Sequence, residues 1–468
     1  MSDQTIIEAL QREAFPLTEL DHLSRVVEEV GEASIVLLGE ATHGSREFYR
    51  IRAEITKRLI TEKGFDAIAV EADWPDALRV SRYVRASQTA PAAAVTLGDT
   101  PASEPRQALQ GFERFPQWMW RNTEIVELVA WLKQHNQERQ EGSHQGAQDA
   151  RQQDGIGFYG LDLYSLRNSM EAVVRYLSTV DPEAAREARA RYACFDHLAE
   201  DPQRYGYAAT FGMRKDCEDE VIRQLVAMTT EAGRYADLDG DNAADELFYA
   251  QQNARVAQNA EAYYRTMFLG RNASWNLRDE HMADTLDALR AHIAKRKGSA
   301  AKVVVWAHNS HIGDARATEM GDHGQLNLGQ LVRERHGLAE TFLLGFTTHD
   351  GTVTAASEWD APAEKKSVRA SLAHSYERLL HDTGLKQFFL RMRDRRYLSE
   401  LLQERRLERA IGVIYLPENE RMSHYFHASL SQQFDAVIHV DTTHALRPLE
   451  SVVQPQHDEA PETYPTGI

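Results

Sequence analysis

The sequence predicts an α/β protein: a largely parallel sheet flanked by helices, with a large helical insertion. Three observations carry this prediction. Short apolar runs recur along the chain, and continuous runs suit strands covered on both faces, whereas alternating ones would not. Helical patterns separate several of these runs, the order expected of strands joined by crossovers. From about Ser165 to Lys297 the runs give way to a stretch rich in Ala, Glu, Arg and Gln, which reads as successive helices.

Taken in order, the first predicted strand is Ile35-Val36-Leu37-Leu38. A helix from about Arg46 to Glu62 follows, with Phe48, Ile51, Ile55 and Leu59 as its buried stripe. The next strands are Ala67-Ile68-Ala69-Val70 and Gly157-Phe158-Tyr159-Gly160-Leu161. The last helix of the insertion runs from Asn276 to about Lys297, with Met282, Leu286, Leu289 and Ile293 on its apolar face. Four more strands are predicted at Val303–Trp306, Thr341–Leu344, Gly412–Tyr415 and Ala436–His439. Thr89–Pro105 reads as a surface loop, and His135–Asp154 as a mobile loop or helix extension. The tail after Val453, with Pro455, Pro461 and Pro465, is expected to be poorly ordered. The division is therefore 1–164 and 298–450 as two parts of one α/β core, 165–297 as the insertion, and 451–468 as a tail.

The 468 residues suffice for a substantial core. Lys and Arg number 53 against 71 Asp and Glu, a net charge of −18, which argues against nucleic-acid or anionic-membrane partners. No apolar run approaches the roughly 18 residues of a membrane span. The first residues carry acids and no apolar h-region, so no signal peptide is read and a cytoplasmic location is expected. Two cysteines, Cys194 and Cys217, cannot build a disulfide scaffold or a four-cysteine zinc site. Histidine and carboxylate are left as the expected chemistry.

In open α/β sheets ligands bind beyond the carboxyl ends of the strands. Here those ends carry Glu40 and His43, Glu71 and Asp73, Asp162, and His308 and His311. Any one could merely cap a helix, but four such exits together point to a site. Gly39 and Gly44 bracket the first turn, permitting positive φ or close approach of a ligand. His43 lies just ahead of a helix N-terminus, which favours the neutral imidazole a general base needs; it could equally cap that helix. Arg52 falls within the apolar stripe of the same helix, so it must reach a carboxylate, Glu40 or Glu71, or snorkel to solvent. On the Asn276–Lys297 helix, Arg278 extends the apolar face by one turn. His281 flanks that face and is either a neutral base beside a like charge or a surface residue.

Several familiar signatures fail. There is no Gly-x-Ser-x-Gly elbow, no Walker-A loop and no His-Glu-x-x-His. Gly155–Gly160 fits Gly-x-Gly-x-x-Gly but leads into a strand instead of opening a helix. His349-Asp350 and His381-Asp382 are isolated pairs, and His308 with His311 could ligate a metal without being specific for one.

The run Leu37-Leu38-Gly39-Glu40-Ala41-Thr42-His43-Gly44 resembles the signature of the erythromycin esterase family. Further segments agree in order: Phe48–Glu54, Val70–Pro75, Trp118–Asn122, Tyr159–Tyr164, Trp275–Met282 and Trp306–His311. The resemblance spans about residues 20–450. It implies a hydrolase that opens an ester, in the antibiotic-resistance members a macrolide lactone, through water attack promoted by histidine without an acyl-enzyme. By motif, His43 matches the general base, and Glu40 the acid of the same turn. Arg52 matches the arginine of the following helix, Glu71 the second-strand glutamate, and His281 the histidine of the Arg-Asp-Glu-His helix. The same motifs supply Asp73, Trp120, Asn122, Asp162, Tyr164, Arg278, His308 and His311 as substrate-binding candidates. The motifs are closer to relatives labelled succinoglycan-biosynthesis-like than to the antibiotic esterases.

The expectation is thus a hydrolase of a small-molecule ester or lactone in which Glu71 or Glu40 orients His43, and Arg52 or His281 stabilises the oxyanion. No cofactor is expected. Two other readings use the same residues. One is a metal-dependent hydrolase built on Glu40, His43, Glu71 and a histidine, and the other is a small-molecule binding protein without chemistry.

Overall fold

Six of the apolar runs meet side by side as parallel strands in the computed structural model, which describes residues 2–86, 102–144, 155–195, 202–210, 216–238 and 243–450. The strands are β1 (Phe15–Pro16), β2 (Ile35–Leu38), β3 (Ala67–Asp73), β4 (Gly157–Asp162), β5 (Val303–Trp306), β6 (Thr341–Ala355), β7 (Glu364–Val368), β8 (Gln387–Arg391), β9 (Arg406–Arg409), β10 (Tyr425–Ala428) and β11 (Ala436–Thr443). The main sheet runs β1-β8-β11-β6-β2-β5-β3-β4, with β7 hairpinned onto β6 and β9–β10 forming a separate ribbon. From β11 to β4 every pairing is parallel, while β8, β1 and β7 add antiparallel edges.

Alternate residues of the central strands feed two cores. Val36, Leu38, Ile68, Val70, Val304 and Trp306 face one helical layer, which presents Phe48, Ile55 and Leu59 of the Arg46–Lys63 helix. Ile35, Leu37, Ala67, Ala69, Val303 and Val305 face the other, where Met282, Leu286 and Leu289 of the Arg271–Lys297 helix pack. Burial on both faces explains why these strands read as unbroken apolar runs. Between β4 and β5 the described residues form seven α-helices, from Leu166–Val180 to Arg271–Lys297, with a third core of their own that includes Val173, Leu177, Ala188 and Tyr264. Cys194 and Cys217 meet there as a single disulfide, Cα to Cα 6.0 Å. The two-cysteine count had excluded a scaffold of such bonds, and one bond is what it allows. Among the described residues no helix is long and apolar enough to cross a membrane.

Two local expectations change. The run Gly412–Tyr415 is not a strand. Ile411 bridges Thr42 and Ile414 bridges Ala356, one residue at a time, because the segment crosses beyond the strand ends where no neighbour runs alongside it. The last insertion helix begins at Arg271, five residues before the predicted start. Part of His135–Asp154 continues the Thr123–His144 helix. Its remainder, most of Thr89–Pro105 and the tail lie outside the described residues.

Candidate active site

Strands β2, β3, β4 and β5 all end at the same edge of the sheet, and the polar residues at their exits converge there on one cavity of about 100 Å³. His43, Glu71, Asp73, Asp162, Tyr164, Arg278, His308 and His311 line it, as does Trp120.

The turn after β2 is tight for a steric reason. A Cβ on Gly39 would stand 2.2 Å from Asn309 Oδ1, and one on Gly44 1.8 Å from the carbonyl oxygen of Thr354. Close approach of neighbouring chain is what the glycines allow. Within this turn His43 Nδ1 lies 2.9 Å from Glu40 Oε1. A carboxylate only accepts, so Nδ1 donates and Nε2 of the neutral ring keeps the lone pair. Nε2 has no protein partner among the described residues, and His43 lines the cavity. The other Glu40 oxygen accepts from Arg52, which is only 1% exposed and lies 4.6 Å from the ring centres of both Tyr49 and Trp306. Arg52 thus reaches a carboxylate and does not snorkel. Its partner is Glu40, not Glu71.

Glu71 belongs to a second network. Its Oε1 accepts from Arg278 Nη2 at 2.7 Å, and its Oε2 from the backbone N–H of His308 at 2.9 Å. Burial alone would raise the Glu71 carboxyl, but His311, Arg278, His43 and that backbone donor together hold it far below the usual carboxylate range. Arg278 also grips Asp162 twice, Nε to Oδ1 at 3.0 Å and Nη2 to Oδ2 at 2.7 Å, and packs on Tyr164 at 4.9 Å. Burial likewise fails to raise Asp162, because Arg278 keeps it low. Arg278 itself is held cationic: its neighbours Asp162, Tyr164 and Glu71 outweigh the effect of burial.

His311 stacks on Trp275, ring centres 4.6 Å apart, and its Nδ1 lies 2.9 Å from Asp279 Oδ1. Burial disfavours its cation, but Asp279 and Glu71 reverse this and raise its pKa. Its Nε2 stands 3.1 Å from Arg278 Nη1 and 3.4 Å from Glu71 Oε1, so a neutral ring accepts from the first and a cationic ring donates to the second. His308 is the opposite case. Burial, reinforced by the charge of His43, pushes it well below the ordinary histidine value, and its Nδ1 accepts from the backbone N–H of Ser310.

Four candidates stand elsewhere. Arg52 and Glu40 form the layer behind His43. His281 is buried beneath the cavity and does not line it; its Nδ1 is 2.8 Å from Asn259 Nδ2 and its Nε2 3.4 Å from Thr285 Oγ1. Its pKa is pushed down to about 4 chiefly by burial, with Arg255, not Arg278, as the like charge. Asn122 caps the Thr123–His144 helix, accepting from the N–H of Ile125 and donating to the carbonyls of Trp118 and Met119.

The sequence reading passed over Asp279, which orients His311, and Arg114. The latter pairs with Asp73 through two bonds of 2.9 and 3.0 Å and lies 4.8 Å from the Tyr164 ring centre. It also passed over the aromatic wall facing the histidines, where Phe115 packs on Trp359 with ring centres 4.9 Å apart. Asp279 stood inside a quoted motif, but nothing in the local pattern marks Arg114 or Trp359. Among the described residues no group of three or more His, Cys, Asp or Glu side chains is arranged to hold a metal ion. The oxygens of Glu40 and Glu71 are instead bonded to protein donors.

A parallel-sheet edge carrying paired carboxylates, histidines and a buried arginine defines, with the relatives described next, a hydrolase of mixed α/β fold. The family model of the erythromycin esterases matches residues 60–443, and the chain belongs to that family. The turn holding Glu40 and His43, and Arg52, precede the matched residues. YbfO of Bacillus subtilis (strain 168), named as a hydrolase by inference, is 24% identical over 341 residues, 69% of this chain and 67% of its own. A solved structure titled as a succinoglycan biosynthesis protein superposes with a TM-score of 0.68 at 23% identity, covering 95% of this chain and 98% of the other. A mutant of the erythromycin esterase EreC in its open conformation gives 0.61 at 17% identity, covering 91% and 94%. At these identities the structures establish a shared fold.

Proposed function

We propose that the protein hydrolyses a carboxylic ester or lactone by His43-promoted attack of water. The observation that carries this reading is the Glu40–His43 pair. Glu40 fixes the tautomer of His43, leaving its Nε2 free to act as a base at the cavity wall. In the reaction His43 takes a proton from water, and the water oxygen bonds to the acyl carbon. The resulting oxyanion is stabilised by Arg278, a cation that lines the cavity beside Glu71. Collapse expels the alcohol, which recovers the proton from His43, and the acid leaves as the second product. Arg52 and His281 do not line the cavity, so they act behind the reacting groups. A volume of about 100 Å³ favours a small acyl group over a bulky macrocycle.

A panel of short-chain p-nitrophenyl esters, lactones and macrolides, read by product mass, tests the proposal. At least one small ester should be turned over, and His43→Ala should lower its kcat at least about a hundredfold. Turnover of no ester, or a His43→Ala variant at near wild-type rate, would refute it.

A further inference from the structure

The cavity does not end at the catalytic groups. Beyond the Arg114–Asp73 ion pair a second hollow of about 190 Å³ follows, which shares Asp73, Asp76 and Arg114 with the first. A third, of about 300 Å³, continues from it between the Trp74–Arg85 helix and the Leu166–Val180 and Ala243–Thr266 helices of the insertion. Gly111 lines both, and a Cβ there would meet Asp76 Oδ1 at 3.3 Å, so its missing side chain keeps the passage open. Their shared lining residues set the three hollows in a row, here called the groove, with the scissile chemistry in the smallest of them.

The far end differs in character from the aromatic wall around His43. Its charges are mostly spoken for: Arg82 pairs with Glu246 at 2.7 Å, and Glu171 with Arg167 at 3.3 Å. Arg79 and Glu113 are the exceptions: both line the 300 Å³ hollow, neither side chain has an ion pair or hydrogen bond among the described residues, and Arg79 is the cation of the two. Asn253, only 2% exposed, lines the same hollow. Its Nδ2 donates to the carbonyl of Tyr249, but its Oδ1 has no donor. Leaving a buried acceptor unmet is costly, and a ligand hydroxyl would satisfy it.

We infer that this groove binds the alcohol portion of the substrate, and that this portion is a hydroxyl-rich, sugar-like group carrying an oxyanion that Arg79 pairs. The inference rests on the ester-hydrolase reading and specifies its substrate class: a small acyl group on an acidic sugar-like alcohol. A guanidinium engages carboxylate and phosphate alike, so both sources are tested.

Calorimetric binding of glucuronate, glucose 6-phosphate, glucose and glucosamine to the full chain reads the subsite directly. At least one of the two anions should bind about tenfold tighter than glucose. Arg79→Ala should bring that ratio close to one, and Arg79→Lys should retain part of it. Circular dichroism and thermal melts confirm that the variants are folded. The acetyl esters of glucuronate and glucose then read the same preference as a kcat/KM ratio carried mainly by KM. Anion preference without hydrolysis of either ester would overturn the esterase reading and leave the subsite standing. Equal hydrolysis of both, unchanged by Arg79→Ala, would overturn the subsite and leave the chemistry standing. Equal binding of all four sugars, no binding of any, or a preference for glucosamine would also overturn it.

Discussion

Glu40 serves two donors at once, and replacing it by glutamine separates the two services. A carboxylate offers acceptors to both His43 Nδ1–H and Arg52, whereas a carboxamide offers one acceptor and one donor. If its NH2 faces His43, the ring must take the other tautomer, and Nε2 carries the proton it should accept. If its NH2 faces Arg52, a guanidinium only 1% exposed loses its counter-charge. Removing one partner of a buried pair costs about 3–5 kcal/mol, a large share of the ~5–15 kcal/mol that holds a typical domain. Glu40→Gln should therefore lower stability by that amount in urea unfolding. It should also lower kcat on a short p-nitrophenyl ester at least about a hundredfold; amidating the orienting carboxylate of a serine-protease triad costs roughly 10⁴. The double variant Glu40→Gln/Arg52→Met removes the orphaned charge and places a thioether against Tyr49 and Trp306. It should recover stability to within about 1 kcal/mol of wild type. Its kcat should remain at least about tenfold down, because a neutral amide stabilises the developing imidazolium poorly. A folded single variant with near wild-type kcat would refute this reasoning. So would a double variant with full activity, which would reduce Glu40 to a counter-ion for Arg52.

Two further outcomes concern pH. His281 is held near pKa 4, so between pH 6.5 and 4 the unfolded chain binds a proton that the native protein refuses, and stability falls as the solution is acidified. From pH 7 to 5 this group should account for roughly 2 kcal/mol of the loss, and His281→Gln should flatten the urea-midpoint profile by that much; an unchanged slope would contradict the assignment. Glu408 is fully buried, and burial together with Glu377 pushes its carboxyl well up against the opposing effect of Gln433. A raised folded pKa contributes stability at low pH that is lost as pH rises through it. Glu408→Gln should therefore raise the unfolding midpoint at pH 8 and change it little at pH 5; equal shifts at both would count against a protonated Glu408.

Much of the architecture was readable because the central strands are buried on both faces. Ile35–Leu38 and Val303–Trp306 are strands with the predicted ends. β6 outruns its apolar start since Thr347 and Thr348 are buried by pairing with β11, where Thr347 meets His439. Polar residues made acceptable by a neighbour strand leave no apolar signature. The antiparallel β8, β9 and β10 show no apolar run unbroken from end to end, because Gln387, Arg391, Arg406, Glu408, Arg409 and His427 interrupt them. In the site, Arg52 and Arg278 were visible as cations inside apolar stripes, which force a search for carboxylates. His281 also flanks its stripe, but the surface it faces holds Asn259 of a helix in the insertion, and periodicity within one helix cannot reveal that neighbour. Arg114 lies in a loop with no period at all, and its significance comes only from Asp73 and Tyr164.

The cavity draws on residues from His43 to Val413, a separation of 413 − 43 = 370 positions in a chain of 468. During synthesis, then, His43 emerges 370 residues before Val413, and the pocket wall is incomplete over the whole of that interval. Long-range parallel pairing is also slow to form. No fragment cut between His43 and Val413 would hold the whole pocket, so the appearance of activity would report that the chain has been made and folded through Val413.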